Sequence, residues 1–98
     1  MTLDPPALDI HHDPAALRFA TTLDGREAEL LYSLRGTRMV IEHTGVPEAI
    51  GGRGVAAALV RAALEFARTQ GWQVIPACSY SAAYVQRHPE YADLLATR

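Results

Sequence analysis

The sequence predicts an α+β domain: an antiparallel meander followed by a glycine loop, a long helix, a parallel strand and short C-terminal helices. Three observations carry this reading. Residues 17–44 alternate apolar and polar with a period of two, broken by Asp24-Gly25 and Arg35-Gly36-Thr37. Residues 54–70 switch to spacings of three and four. Between them lies Gly45–Gly54, a loop with Pro47, Gly51, Gly52 and Gly54. The 98 residues suffice for one domain over 1–98.

Residues 1–15 read as an irregular lead-in, with Pro5, Pro6 and Pro14 and the polar pair His11-His12. The first strand runs through Leu17, Phe19 and Thr21. Asp24-Gly25 closes a hairpin, its glycine free to take the positive φ of a tight turn. The second strand, Glu27–Leu34, sets Ala28, Leu30, Tyr32 and Leu34 on one face. The third spans Arg38–Thr44. The helix from Gly54 to Gln70 buries Val55, Leu59, Ala63, Phe66 and Ala67, exposes Arg61, Glu65 and Arg68, and stops at Gly71. Trp72–Cys78 is a short strand one crossover helix beyond the third, hence parallel to it. Trp72 is expected to pack under the long helix. A helical segment follows from about Ser81 to Arg87. Pro89 interrupts it before a last short helix, Glu90–Thr97.

Composition narrows the function. A net charge of −2 with scattered basic residues leaves no footprint for nucleic acid or an anionic membrane. One cysteine, Cys78, excludes an internal disulfide and a cysteine-rich metal site. His11 and His12 have no further ligands spaced to join them, so no metal site is expected. Met1–Pro6 holds an acid and two prolines instead of a leader's apolar run, and no apolar run is long enough for a membrane span. A cytoplasmic protein is the expectation.

The glycine loop points to an anion. Ile50-Gly51-Gly52-Arg53-Gly54-Val55-Ala56 lies between strand and helix, where glycines let backbone N–H groups approach phosphate and the helix adds its positive end. The absence of Gly-Lys-Ser/Thr argues against a Walker-type site, and the spacing is not that of a dinucleotide fingerprint. A glycine turn that binds nothing is the plain alternative.

Several stretches together resemble the small GNAT-type N-acetyltransferases, the minimal group of roughly a hundred residues. They are Arg18-Phe19, Asp24-Gly25, Ala28–Tyr32, His43–Pro47, Gly52–Ala56, Cys78-Ser79-Tyr80 and Tyr84–Tyr91. The run Arg87-His88-Pro89-Glu90-Tyr91 is the most specific. The superfamily's acyl-CoA motif reads Gln/Arg-x-x-Gly-x-Gly/Ala; Gly54 and Ala56 match it, while Gly51 replaces the side chain that opens it. The resemblance implies a minimal GNAT-like fold in which the last strand splays from the third, with Pro76 where pairing ends. It implies acetyl-CoA as co-substrate, bound by Val46, Gly51, Gly52, Arg53, Gly54, Val55, Ala56, Arg87 and His88. It also implies an amine acceptor of unidentified kind at a shallow site, and direct transfer.

Acetyl transfer needs a base for the amine and a proton for the leaving thiolate. His43, at the end of the third strand, is the candidate base, or a histidine that fixes the strand end. Glu42 is a second, on the opposite face by alternation. Cys78, ending the last strand, is a candidate acyl carrier or a small buried apolar residue. Tyr84 is the candidate acid toward sulfur, or a core tyrosine. A binding module that senses acyl-CoA without turnover, and a protein-interaction domain, are the competing functions.

Overall fold

The computed structural model describes residues 8–96; Met1–Ala7 of the expected lead-in and Thr97 of the expected last helix lie outside it. Five strands form one sheet in the order β1-β2-β3-β4-β5: β1 His11–Asp13, β2 Arg18–Leu23, β3 Arg26–Arg35, β4 Arg38–Gly45 and β5 Gln73–Pro76. The first four pair antiparallel. β5 follows the helix α1 (Val55–Gln70) and pairs parallel to β4, as the crossover requires. A second helix, α2 (Ser79–Arg87), leads into a 3-10 segment, Pro89–Leu94. The α+β class and the splayed GNAT-like arrangement are both present.

The lead-in expectation fails at one place. His11–Asp13 is a strand that pairs with Arg18–Ala20. Three residues between proline-rich flanks are too few for periodicity to register. Their fixation comes from the side chains: His12 stacks on Phe19 at 4.1 Å, meets Phe66 edge-on at 4.4 Å, and lies 2.6 Å from the Tyr32 hydroxyl.

α1 lies across β2–β5, and α2 and the 3-10 segment pack beside it. The core packs Phe19, Ala28, Leu30, Tyr32, Met39, Ile41 and Val74 from the sheet against Val55, Leu59, Val60, Ala63, Leu64 and Ala67 from α1, and Ile50, Tyr84, Val85, Tyr91 and Leu94 close its end. Leu34, expected inward, is exposed beside the turn that joins β3 to β4. Trp72 precedes β5, is half-buried, and meets Phe66 edge-on at 5.5 Å at the C-terminal end of α1. It therefore sits at the rim, not beneath the helix. Gly71, with φ 74°, ends α1, and the Trp72 N–H bonds the Ala67 carbonyl. Beyond β5, Leu95 bridges to Val74 and the Ala96 N–H reaches the Val74 carbonyl, so the tail shields the sheet's last edge.

Candidate functional site

Three structural features converge at the C-terminal end of β4. The first is the splay. β4 and β5 pair only as far as Ile41 and Pro76, where the proline has no N–H to continue the ladder. The N–H groups of Ala77 and Cys78 both turn onto the Ile41 carbonyl, and Glu42–Gly45 run on without a β5 partner.

The second is a bulge. Leu31 pairs with His43 and Tyr32 with Ile41, so Glu42 is the extra residue. It breaks the simple alternation expected of Glu42 and His43; both are exposed. The register sets His43 opposite Leu31, on the sheet face away from α1. A Cβ on Gly45 would come within 2.8 Å of the His43 Nε2, so glycine there makes room for the ring. Thr44 sits opposite Leu30, on the α1 face.

The third is the glycine loop. Gly52 and Gly54 take φ of 75° and 80°, conformations L side chains rarely adopt, with open space where a Cβ would stand. Gly54 is the N-cap of α1; no side chain caps that end and its first turn carries no acid. The positive end of a 16-residue helix is therefore left with unpartnered donors. Of the expected cofactor residues, Val55 turns its side chain into the core, leaving only its N–H for a ligand. Ala56 and Val46 are half-buried beside it. Gly51 is extended and its N–H donates to the Glu48 carbonyl oxygen at 3.0 Å. The Arg53 guanidinium is ion-paired with Asp24 in the β2–β3 turn, which braces the loop.

Cys78 is the N-cap of α2. Its sulfur lies 3.5 Å from the Thr44 Oγ1, accepts from the Ser81 N–H at 3.4 Å and donates to the Ser81 Oγ at 3.1 Å. Burial pushes this thiol upward, but the Ser81 and Thr44 hydroxyls and the N–H groups of Ser81 and Tyr80 outweigh it and lower the thiol below its ordinary value. Sequence reading missed Thr44 and the fully buried Ser81. Cys-x-x-Ser at a helix start was visible as a capping pattern, whereas Thr44 meets Cys78 only through the fold.

Between α1 and α2 runs a groove of about 450 Å³, lined in part by Gly54, Tyr84, Arg87 and His88. His88 stacks on Tyr84 at 3.9 Å, and its Nδ1 lies 2.8 Å from the Tyr84 carbonyl oxygen. Burial raises the Tyr84 hydroxyl above its ordinary value, with Arg61 opposing, so Tyr84 holds its proton at neutral pH. The expected residues thus fall into three groups: Cys78 at the splay, the glycine loop with Gly54 leading into the groove of Tyr84, Arg87 and His88, and His43 on the other face of the sheet. Among the described residues no three His, Cys, Asp or Glu gather to hold a metal ion. No described helix is long and apolar enough to cross a membrane.

Known proteins share this architecture. Residues 18–94 match the model of the GCN5-related N-acetyl-transferase family. The chain is 36% identical to protein NATD1 of Gallus gallus over 85 residues, covering 84% of this chain and 77% of that protein. It is 37% identical to NATD1 of Homo sapiens over 83 residues, covering 82% and 74%. The NMR structure of a GCN5-like protein from Staphylococcus aureus superposes with a TM-score of 0.73 at 27% identity, covering 93% of this chain and 90% of that one. On the family match, the relatives and the shared fold, the chain belongs to the GCN5-related N-acetyltransferases.

Proposed function

We propose that this protein transfers the acetyl group of acetyl-CoA directly to an amine, in one complex holding both substrates. The observation that carries it is an uncapped 16-residue helix led by positive-φ glycines, set beside the splay of β4 from β5. In this reading the loop N–H groups receive the pyrophosphate. The pantetheine arm pairs with the free edge of β4 beyond Ile41. His43 takes the proton of the attacking amine as the N–C bond forms, and Tyr84 gives its proton to the sulfur as the C–S bond breaks. A second reading draws on the hydrogen bonds that lower the Cys78 thiol. There the thiolate attacks the thioester, CoA leaves as thiol, and the amine then takes the acetyl group from Cys78.

The test is release of free thiol from acetyl-CoA across a panel of amines, with intact mass measured in the absence of amine. Amine-dependent release that Gly52→Asp abolishes, with no acetyl gain in the amine-free sample, is the expected result. An acetyl group on Cys78 that an amine then removes establishes the second reading. Binding of acetyl-CoA with no turnover on any amine makes the protein a sensing module, and no binding at all overturns the reading.

A further inference from the structure

The α1–α2 groove carries charge that acetyl transfer does not use. Its lining includes Gly54, the N-cap of α1, with Ala57 and Ala58 of α1 and Ala83 of α2, all without bulky side chains. Two arginines also line it, Arg61 and Arg87, one from each helix. Neither forms an ion pair among the described residues, whereas Arg18, Arg53 and Arg68 are each held by a carboxylate. The obvious partner for Arg61 is Glu65, one turn on, but the Glu65 carboxylate accepts from the Tyr91 hydroxyl instead. Two guanidinium groups lining one groove make its wall positive and attractive to an anion. From Gly54 to Arg61 the helix rises about 10 Å, so this second anion position is distinct from the helix N-terminus yet continuous with it.

We propose that Arg61 and Arg87 bind the 3′-phosphate of coenzyme A, and so make the protein discriminate CoA from dephospho-CoA. The proposal rests on the cofactor reading above and adds the specificity of its nucleotide end. The pyrophosphate and the 3′-phosphate of CoA lie on the 5′ and 3′ sides of one ribose. With the pyrophosphate at Gly54, the 3′-phosphate falls within reach of side chains one or two turns along α1. A guanidinium fork matches a phosphate oxygen pair, and two forks suit a dianion. The arginines are exposed, so their removal leaves the core untouched.

Calorimetric titration of CoA and of dephospho-CoA tests this. Wild type is expected to bind CoA about tenfold more tightly, the scale of one good charge-assisted contact at an open site. Arg61→Gln and Arg87→Gln each lower that ratio and the double variant brings it to about one, while affinity for dephospho-CoA stays constant. Added salt narrows the wild-type ratio. A wild-type ratio already near unity, or variants that weaken both ligands equally, overturns the proposal and leaves the acetyl-CoA reading standing. Failure of both ligands to bind overturns both.

Discussion

His12 shows how a half-buried polar residue can pack against the edge of a core. Its ring is packed by Phe19 and Phe66, and Tyr32 supplies its polar contact. Burial lowers its pKa below the ordinary histidine value, with the nearby Asp13 charge opposing. A depressed folded pKa contributes stability that is present above the unfolded value near 6.5 and is lost as pH falls through the folded value. Urea midpoints of wild type are therefore expected to drop as pH falls below about 6.5. His12→Phe keeps the stacking and gives up the Tyr32 contact, costing about 1 kcal/mol at neutral pH, but its acid drop is shallower. Parallel pH curves for the two proteins would remove His12 as the cause. At this scale the sequence was partly legible. Cys78 at a strand end and Gly54 before a helix were visible in place. The burial of His12 and the contact of Thr44 with Cys78 needed the fold, because they join residues 20 and 34 positions apart.

Among elements, periodicity located β2–β4, α1 and α2 to within a few residues, and β5 was legible as a short apolar run following the crossover helix. Periodicity missed β1, which is too short to show a period. It also missed the bulge at Glu42, because one extra residue on a strand leaves no mark in composition. The run Arg87–Tyr91 was the most specific stretch of sequence, and its physical role is docking. Tyr91 donates to Glu65 on α1 at 2.5 Å. Arg68 pairs with Asp93, bonds the Glu90 carbonyl and lies 5.7 Å over the Tyr91 ring. Burial and then the Glu65 carboxylate push the Tyr91 hydroxyl up to about 12. A raised folded pKa gives stability that is full below the unfolded value, near 10, and is lost as pH rises through the folded one. Tyr91→Phe should cost about 1 kcal/mol at pH 7. Its deficit relative to wild type should shrink between about pH 10 and 12, measured by urea unfolding. A deficit that stays constant to pH 12 would assign the loss to packing instead of the hydroxyl.

At the scale of the whole molecule, the same features that would bind ligand are the ones that leave the fold least supported. α1 begins without a cap, β4 runs past its neighbour, and the loop between them takes two left-handed glycines. A chain of this size holds one modest core, so these gaps are a sizeable share of a small stability. A ligand that fills them binds the native state and not the unfolded chain. At a hundredfold excess over its dissociation constant it adds about 2.7 kcal/mol. For a domain near a hundred residues that converts to a rise in Tm of roughly 10–20 °C. Acetyl-CoA is expected to produce a shift on this scale in differential scanning calorimetry, growing with the logarithm of its concentration. Gly52→Asp keeps the φ of the loop accessible, since aspartate tolerates the left-handed region better than most side chains. It should therefore unfold close to wild type in the absence of ligand. Its carboxylate then sits before the helix where the phosphates would lie, and like charges there cancel the attraction. Loss of the thermal shift in this variant, with the ligand-free Tm preserved, ties the binding energy to the glycine loop. A full shift in Gly52→Asp would move the cofactor elsewhere on the molecule, and no shift in wild type would leave the gaps in the fold without the ligand proposed for them.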